Sequence, residues 1–122
     1  MADYILLVDD DAAVGTTLKM LLESLGHKVR YATSVNEAVS IASQVRPQLL
    51  VTDMIMPEDG GMACIERIKA LHPGLPIIAI SGGSRVLRSD FSLSTAKMVG
   101  ANCVLSKPVA RATLKHALDT LL

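Results

Sequence analysis

Four short apolar runs in this chain each end on a residue able to do chemistry. Leu49-Leu50-Val51-Thr52 runs into Asp53, and a loop rich in Pro, Asp and Gly follows, beginning Met54-Ile55-Met56-Pro57. The run at residues 4–8 ends on Asp9-Asp10-Asp11. The run at 76–80 ends on Ser81, and the run at 102–105 is followed by Ser106-Lys107-Pro108. Carboxylates crowded into one place repel and need compensation. Oxygen ligands at an open, hydrated edge suit Mg²⁺, which takes one or two carboxylates, keeps waters and shares a phosphoryl oxygen. A carboxylate nucleophile, a divalent cation, a hydroxyl and an ammonium together fit phosphoryl transfer to an aspartate. Asp53 is the expected nucleophile, Mg²⁺ and Lys107 the charge compensators, and Ser81 the hydroxyl facing the same crevice.

These residues are far apart in the chain, so the fold must gather them. Between the apolar runs lie segments of helical period. Val14, Leu18, Leu21, Leu22 and Leu25 recur at helical spacing, and Gly26 stops them. Ser34 with Glu37 predicts a capping box ahead of Ala38, Val39, Ile41, Ala42 and Val45, closed by Pro47. Met62, Ile65, Ile68 and Leu71 mark a third helix before Pro73. Residues 93–99 predict a short fourth helix closed by Gly100, and Ala110, Leu114, Ala117, Leu118 and Leu121 a fifth. Lys28 to Ala32 alternates as a short strand. The order is strand then helix, five times, and several strands are apolar on nearly every residue. That pattern predicts an α/β doubly wound (βα)5 three-layer sandwich, flavodoxin-like, with a parallel sheet in the order 2-1-3-4-5. Ligands in such sheets bind outside the carboxyl ends of the strands, where the winding reverses. Strands 1 and 3 meet there, which would bring Asp9 and Asp10 to Asp53.

Composition sets the outer bounds. A chain of 122 residues makes one domain, 1–122. At that size roughly two-thirds of the unfolded surface is buried, enough to fold without staples. Twelve basic and twelve acidic residues cancel, so no basic nucleic-acid face or polybasic membrane patch is expected. No apolar run approaches the ~20 residues of a membrane-spanning helix, and the start Met1-Ala2-Asp3-Tyr4 carries no basic leader region. A cytoplasmic location is the expectation. Cys64 and Cys103 each sit in apolar surroundings and read as reduced core residues. Asp11 reads as a helix cap. His27, His72 and His116, near helix ends, read as surface or dipole partners. Arg85 and Arg88 read as loop charges.

Taken together, these motifs resemble the receiver domain of two-component response regulators, the chemotaxis-regulator type, over nearly the whole chain. The acidic pair after strand 1 matches Asp9 and Asp10. The phosphoacceptor of the Asp-x-x-Met-Pro signature matches Asp53, with Met56 and Pro57 in place. Gly61 matches the glycine opening the third helix, and Gly100-Ala101 a pair that precedes strand 5. Ser81 matches the switch hydroxyl and Lys107-Pro108 the lysine–proline pair, whose peptide bond is usually cis in the family. The resemblance implies a phosphoacceptor rather than an enzyme. A histidine kinase or histidine phosphotransfer protein would phosphorylate Asp53, and a downstream protein target would read the change. It implies Mg²⁺ held by Asp9, Asp10, Asp53 and the backbone carbonyl of Ile55.

Three departures shape the expectation. Val104 stands where the family often has an aromatic toggle, so signal is expected to travel through Ser81 and the loop after it. Dimerisation through the fourth strand and its flanking helices is not expected. The stretch from Ser81 to Gly100 is a few residues longer than is typical of the family, with Gly82-Gly83 as candidate hinges. Ile55 puts an aliphatic side chain over the phosphoryl site, which implies a comparatively long-lived phosphate. Two other classes compete with this reading. A constitutive interaction module would be expected to have lost an acid or the lysine. An aspartate-based phosphohydrolase would need a second acid where Ile55 stands, and a nucleotide-binding protein would need a glycine-rich phosphate loop. Both a stand-alone receiver and one unit of a longer regulator are consistent with the chain.

Overall fold

A computed structural model describes residues 3–54, 60–81 and 100–122. Strand β1 spans Ile5–Val8, α1 Ala12–Ser24, β2 Val29–Ala32, α2 Val35–Gln44 and β3 Leu49–Asp53. Helix α3 follows over Gly60–Leu71, then β4 over Ile77–Ser81, β5 over Cys103–Ser106 and α4 over Arg111–Leu121. The α4 label belongs to the helix expected as the fifth, because the one expected at 93–99 lies outside the described residues. So do Gly82, Gly83, Arg85 and Arg88.

The five strands are parallel and ordered β2-β1-β3-β4-β5, as the alternation of elements predicts. Side chains alternate across a strand, so each strand feeds two cores. Leu6, Val8, Leu50 and Ala79 pack with Ala38 and Ala42 of α2 and Ile65 and Ile68 of α3. Ile5, Leu7, Val51, Ile78 and Ile80 pack with Leu18 and Leu22 of α1 and Leu114 and Leu118 of α4. Each fully buried Leu or Ile contributes roughly 1.5–3 kcal/mol of transfer free energy. With both faces covered, the strands hold position, and the polar residues at their ends inherit that rigidity.

Local signals decide where elements begin. Asp11 caps α1, its side chain accepting from the amides of Ala13 at 3.0 Å and Val14 at 3.3 Å. Gly26 follows that helix with φ 94°, a left-handed conformation that favours glycine. The box at α2 is only half as expected. Ser34 accepts from the Glu37 amide at 3.1 Å, but the Glu37 carboxylate reaches back to the amide of Thr33 at 2.8 Å.

Several strand ends differ by one residue from the runs read in the sequence, and two have a visible cause. Strand β4 continues to Ser81, because the Lys107 amide donates to the Ser81 carbonyl at 2.8 Å and extends the ladder. Strand β5 starts at Cys103, because Asn102 anchors its approach from both sides. The Asn102 amide donates to the Ile77 carbonyl at 2.8 Å, and the Asn102 side chain accepts from the Ile77 amide at 2.9 Å. Among the described residues no helix is long and apolar enough to cross a membrane. Cys64 is buried, which pushes its thiol up to about 11, and Cys103 is half-buried.

Candidate functional site

Register places the site. Val8 of β1 pairs with Thr52 of β3, so Asp9 and Asp53 emerge one residue later, side by side at the carboxyl edge. Asp53 pairs with Ile80 of β4, and Ser81 pairs with Ser106 of β5. Lys107 then leaves β5 at the same edge, and the peptide bond to Pro108 is cis.

The side chains converge as that register requires. Carboxylate oxygens of Asp9, Asp10 and Asp53 lie within 4.8 Å of one another. The Lys107 ammonium lies 3.0 Å from Asp53 Oδ2 and 3.3 Å from Asp9 Oδ2. Asp9 is fully buried and Asp53 is 4% exposed, while Asp10 faces solvent. The other oxygen of Asp9 accepts from the Asp11 amide at 2.9 Å. Asp9 therefore links the start of α1 to the end of β5.

Electrostatics follow from that crowding. Burial raises the Asp9 carboxyl above its ordinary value and the charge of Asp53 adds to the effect, against the Asp11 amide and Lys107. For Lys107, burial is the largest single influence and lowers the ammonium. The hydrogen bond and charge of Asp53, joined by those of Asp9, outweigh it, so the group is held above its usual range.

Ser81 is fully buried, and its hydroxyl has no hydrogen-bond partner among the described residues. A buried donor of this kind costs about 1–3 kcal/mol. Gly61 lets the start of α3 press against the end of β3. A Cβ there would lie 2.4 Å from Met54 Cα and 2.7 Å from the Asp53 carbonyl oxygen. Ile55, Met56 and Pro57 lie outside the described residues, and with them the Ile55 carbonyl expected to hold a metal.

The remaining sequence-derived residues are therefore brought together: Asp9, Asp10, Asp53 and Lys107 in one cluster, Ser81 one residue past the strand position opposite Asp53. The donor set suits a hard divalent ion, since it offers carboxylate oxygens, two of them from buried residues, beside an exposed one. One contributor was missed from sequence. The Tyr31 hydroxyl donates to the carbonyl of Asp9 at 2.7 Å, with a longer approach of 3.3 Å to that of Asp11. The sequence holds one indirect signal, Gly15 in the first turn of an otherwise regular helix, which marks a close approach there without naming Tyr31.

Comparison with known proteins agrees with this geometry. The family model for the response regulator receiver domain matches residues 5–119. The chain is 37% identical to the transcriptional regulatory protein ZraR of Escherichia coli over 93% of its own length, but over 26% of that protein. It is 35% identical to the transcriptional regulator NtrC of Azospirillum brasilense over 70% of its length and 18% of that protein. The chain thus spans about a quarter or less of these relatives. Among solved structures, the receiver domain of NtrX from Brucella abortus superposes with a TM-score of 0.87 at 27% identity, covering 97% of each chain. The chemotaxis protein CheY4 of Vibrio cholerae gives a TM-score of 0.87 at 24% identity over the whole of both chains, a likeness of fold.

Proposed function

The chain belongs to the response regulator receiver domain family, and on that footing we propose that it is the phosphoacceptor switch of a two-component or phosphorelay system. Asp53 accepts a phosphoryl group from a histidine kinase or a histidine phosphotransfer protein. One observation carries the reading: carboxylate oxygens of Asp9, Asp10 and Asp53 lie within 4.8 Å of one another, and Lys107 bonds Asp9 and Asp53 at 3.3 and 3.0 Å.

Asp9, Asp10 and Asp53 would hold Mg²⁺, joined by the Ile55 carbonyl that the family resemblance implies. The ion supplies positive charge for the phosphoryl oxygens in transfer. Asp53 supplies the nucleophile. An oxygen–phosphorus bond forms from its carboxylate as the phosphorus–nitrogen bond of the donor phosphohistidine breaks, and the electron pair returns to the imidazole. Asp9, fixed by the Asp11 amide, keeps the crevice anionic enough to bind the cation. Lys107 exchanges its bond with the Asp53 carboxylate for one with the incoming phosphoryl oxygens, and its ammonium balances their charge. The Ser81 hydroxyl, partnerless among the described residues, would donate to the same group.

The added charge and its three acceptor oxygens change a protein-binding face. A downstream protein target reads that face. The domain is a signalling acceptor rather than an enzyme, acts in the cytoplasm, and makes no direct contact with nucleic acid or membrane. Incubation with Mg²⁺ and acetyl phosphate, followed by intact mass measurement, tests this. A single phosphoryl adduct is expected on the wild type and none on Asp53→Asn. An unmodified wild type under every donor and kinase tried would leave an interaction module instead.

A further inference from the structure

We infer that Tyr31 is a positioning residue for the cation site, acting through the main chain of the acidic turn that joins β1 to α1. The inference rests on the Mg²⁺ reading above and adds a residue that supplies no ligand. The turn carries Asp9, Asp10 and Asp11 in succession, and mutual repulsion between adjacent carboxylates favours opening it. The Tyr31 hydroxyl opposes that opening. It donates to the Asp9 carbonyl at 2.7 Å and lies 3.3 Å from the Asp11 carbonyl, so one donor spans both ends of the turn.

The donor is itself rigidly mounted. Tyr31 lies in β2 opposite Leu7 of β1, and its ring packs into the core shared with Leu18 and Leu22. Gly15 of α1 provides the slot for the ring. A Cβ there would stand 2.2 Å from both Cζ and the hydroxyl oxygen of Tyr31. The helix accepts glycine at an interior position where alanine is the better helix former, and the space is filled by the ring that carries the donor. With the two carbonyls held, the Asp11 amide stays on Asp9 Oδ1 at 2.9 Å. That bond aims the remaining Asp9 oxygen at Lys107 and the crevice. The site is thus pre-organised by a hydroxyl bonded to main-chain atoms, as outer groups orient the ligands of metal sites.

The test uses Tyr31→Phe, which keeps the ring and removes the donor, with MgCl2 alone as the probe. Calorimetric titration should show the Kd for Mg²⁺ raised roughly three- to tenfold, the range for loss of one hydrogen bond that orders a ligand. Amide hydrogen exchange at Asp11 should accelerate in the metal-free variant. The rise in melting temperature on adding Mg²⁺ should be smaller than in the wild type. A purely structural tyrosine would lower the melting temperature equally with and without Mg²⁺ and leave the Kd unchanged. Gly15→Ala, which forces the ring from its slot, should weaken Mg²⁺ binding in the same way. Wild-type affinity in Tyr31→Phe overturns the inference and leaves the cation reading intact. A wild type that binds no Mg²⁺ overturns both.

Discussion

The ammonium of Lys107 stands 3.0 Å from Oδ2 of Asp53, and this contact closes the sheet edge from β5 across β4 to β3. The same ammonium reaches Asp9 at 3.3 Å. The same lysine therefore faces two buried carboxylates.

Asp9→Asn should stabilise the protein measured in the presence of a chelator. Burial raises the Asp9 carboxyl, so the fold prefers the uncharged form and the ionised group opposes folding at neutral pH. Removing the charge should therefore raise the Tm measured in chelator. The same substitution should abolish the further rise that Mg²⁺ gives to the wild type. Melting curves with chelator and with Mg²⁺ measure both effects, and a lower Tm in chelator would contradict the assignment of Asp9 as an under-compensated charge.

The lysine leaves a signature at alkaline pH. Its folded pKa lies above the ordinary lysine value, so the folded state binds the proton more tightly than the unfolded state. The stability it contributes is fully present below that value and is lost as pH rises through the folded pKa. Urea denaturation of wild type and Lys107→Met should therefore differ by a constant amount from neutrality to about pH 10. The difference should shrink above that. A difference that stayed constant through alkaline pH would show that the lysine acts by packing alone.

Gly15 and Tyr31 should behave as a coupled pair. Alanine is normally the better helix residue by about 1 kcal/mol, yet Gly15→Ala should destabilise the wild type, because its Cβ would meet the Tyr31 ring. In a Tyr31→Ala background the obstruction is gone, and the same change should stabilise by about 0.5–1 kcal/mol. A reversal of sign in the double-mutant cycle is the expected result. Additive effects would mean that the ring yields at no cost.

At Gly61 the obstruction is main chain. A Cβ there would approach Met54 Cα to 2.4 Å and the Met54 carbonyl oxygen to 2.6 Å. Gly61→Ala should destabilise by about 1–3 kcal/mol and displace Asp53, slowing its phosphorylation by acetyl phosphate. Gly74→Ala, where a Cβ would meet nothing within 4 Å, is the control and should be close to neutral. Equal stability in the two variants would remove the packing argument.

Much of this arrangement was legible in the chain because a buried parallel strand declares itself twice, by an apolar run and by the polar residue that ends it. Leu49 to Thr52 followed by Asp53, and residues 4–8 followed by Asp9, located two strands and both acids at once. The strand order then made them neighbours, and the register Val8↔Thr52 agrees. Three details were hidden for physical reasons. Ser81 belongs to β4 because a main-chain bond from Lys107 extends the ladder, and such bonds have no residue type to read. The Glu37 carboxylate selects the Thr33 amide over that of Ser34, a choice set by side-chain reach. Tyr31 looks like packing in any half-buried strand. Its hydroxyl acts on carbonyl groups, which every residue possesses, so only the fold singles out Asp9 and Asp11.

The buried Ser81 hydroxyl places the resting conformation under a handicap. Without a partner among the described residues, it costs that conformation about 1–3 kcal/mol, and a conformation that offers it an acceptor recovers the difference. Under the proposed switch reading, sensitivity would be obtained at the expense of robustness: the two conformations would lie closer in free energy than a fully bonded edge would allow. On the proposed phosphoacceptor reading, a phosphoryl oxygen on Asp53 would be such an acceptor and would tilt the population toward that conformation. Selection for a tougher resting domain would remove the hydroxyl, and selection for a responsive one would keep it.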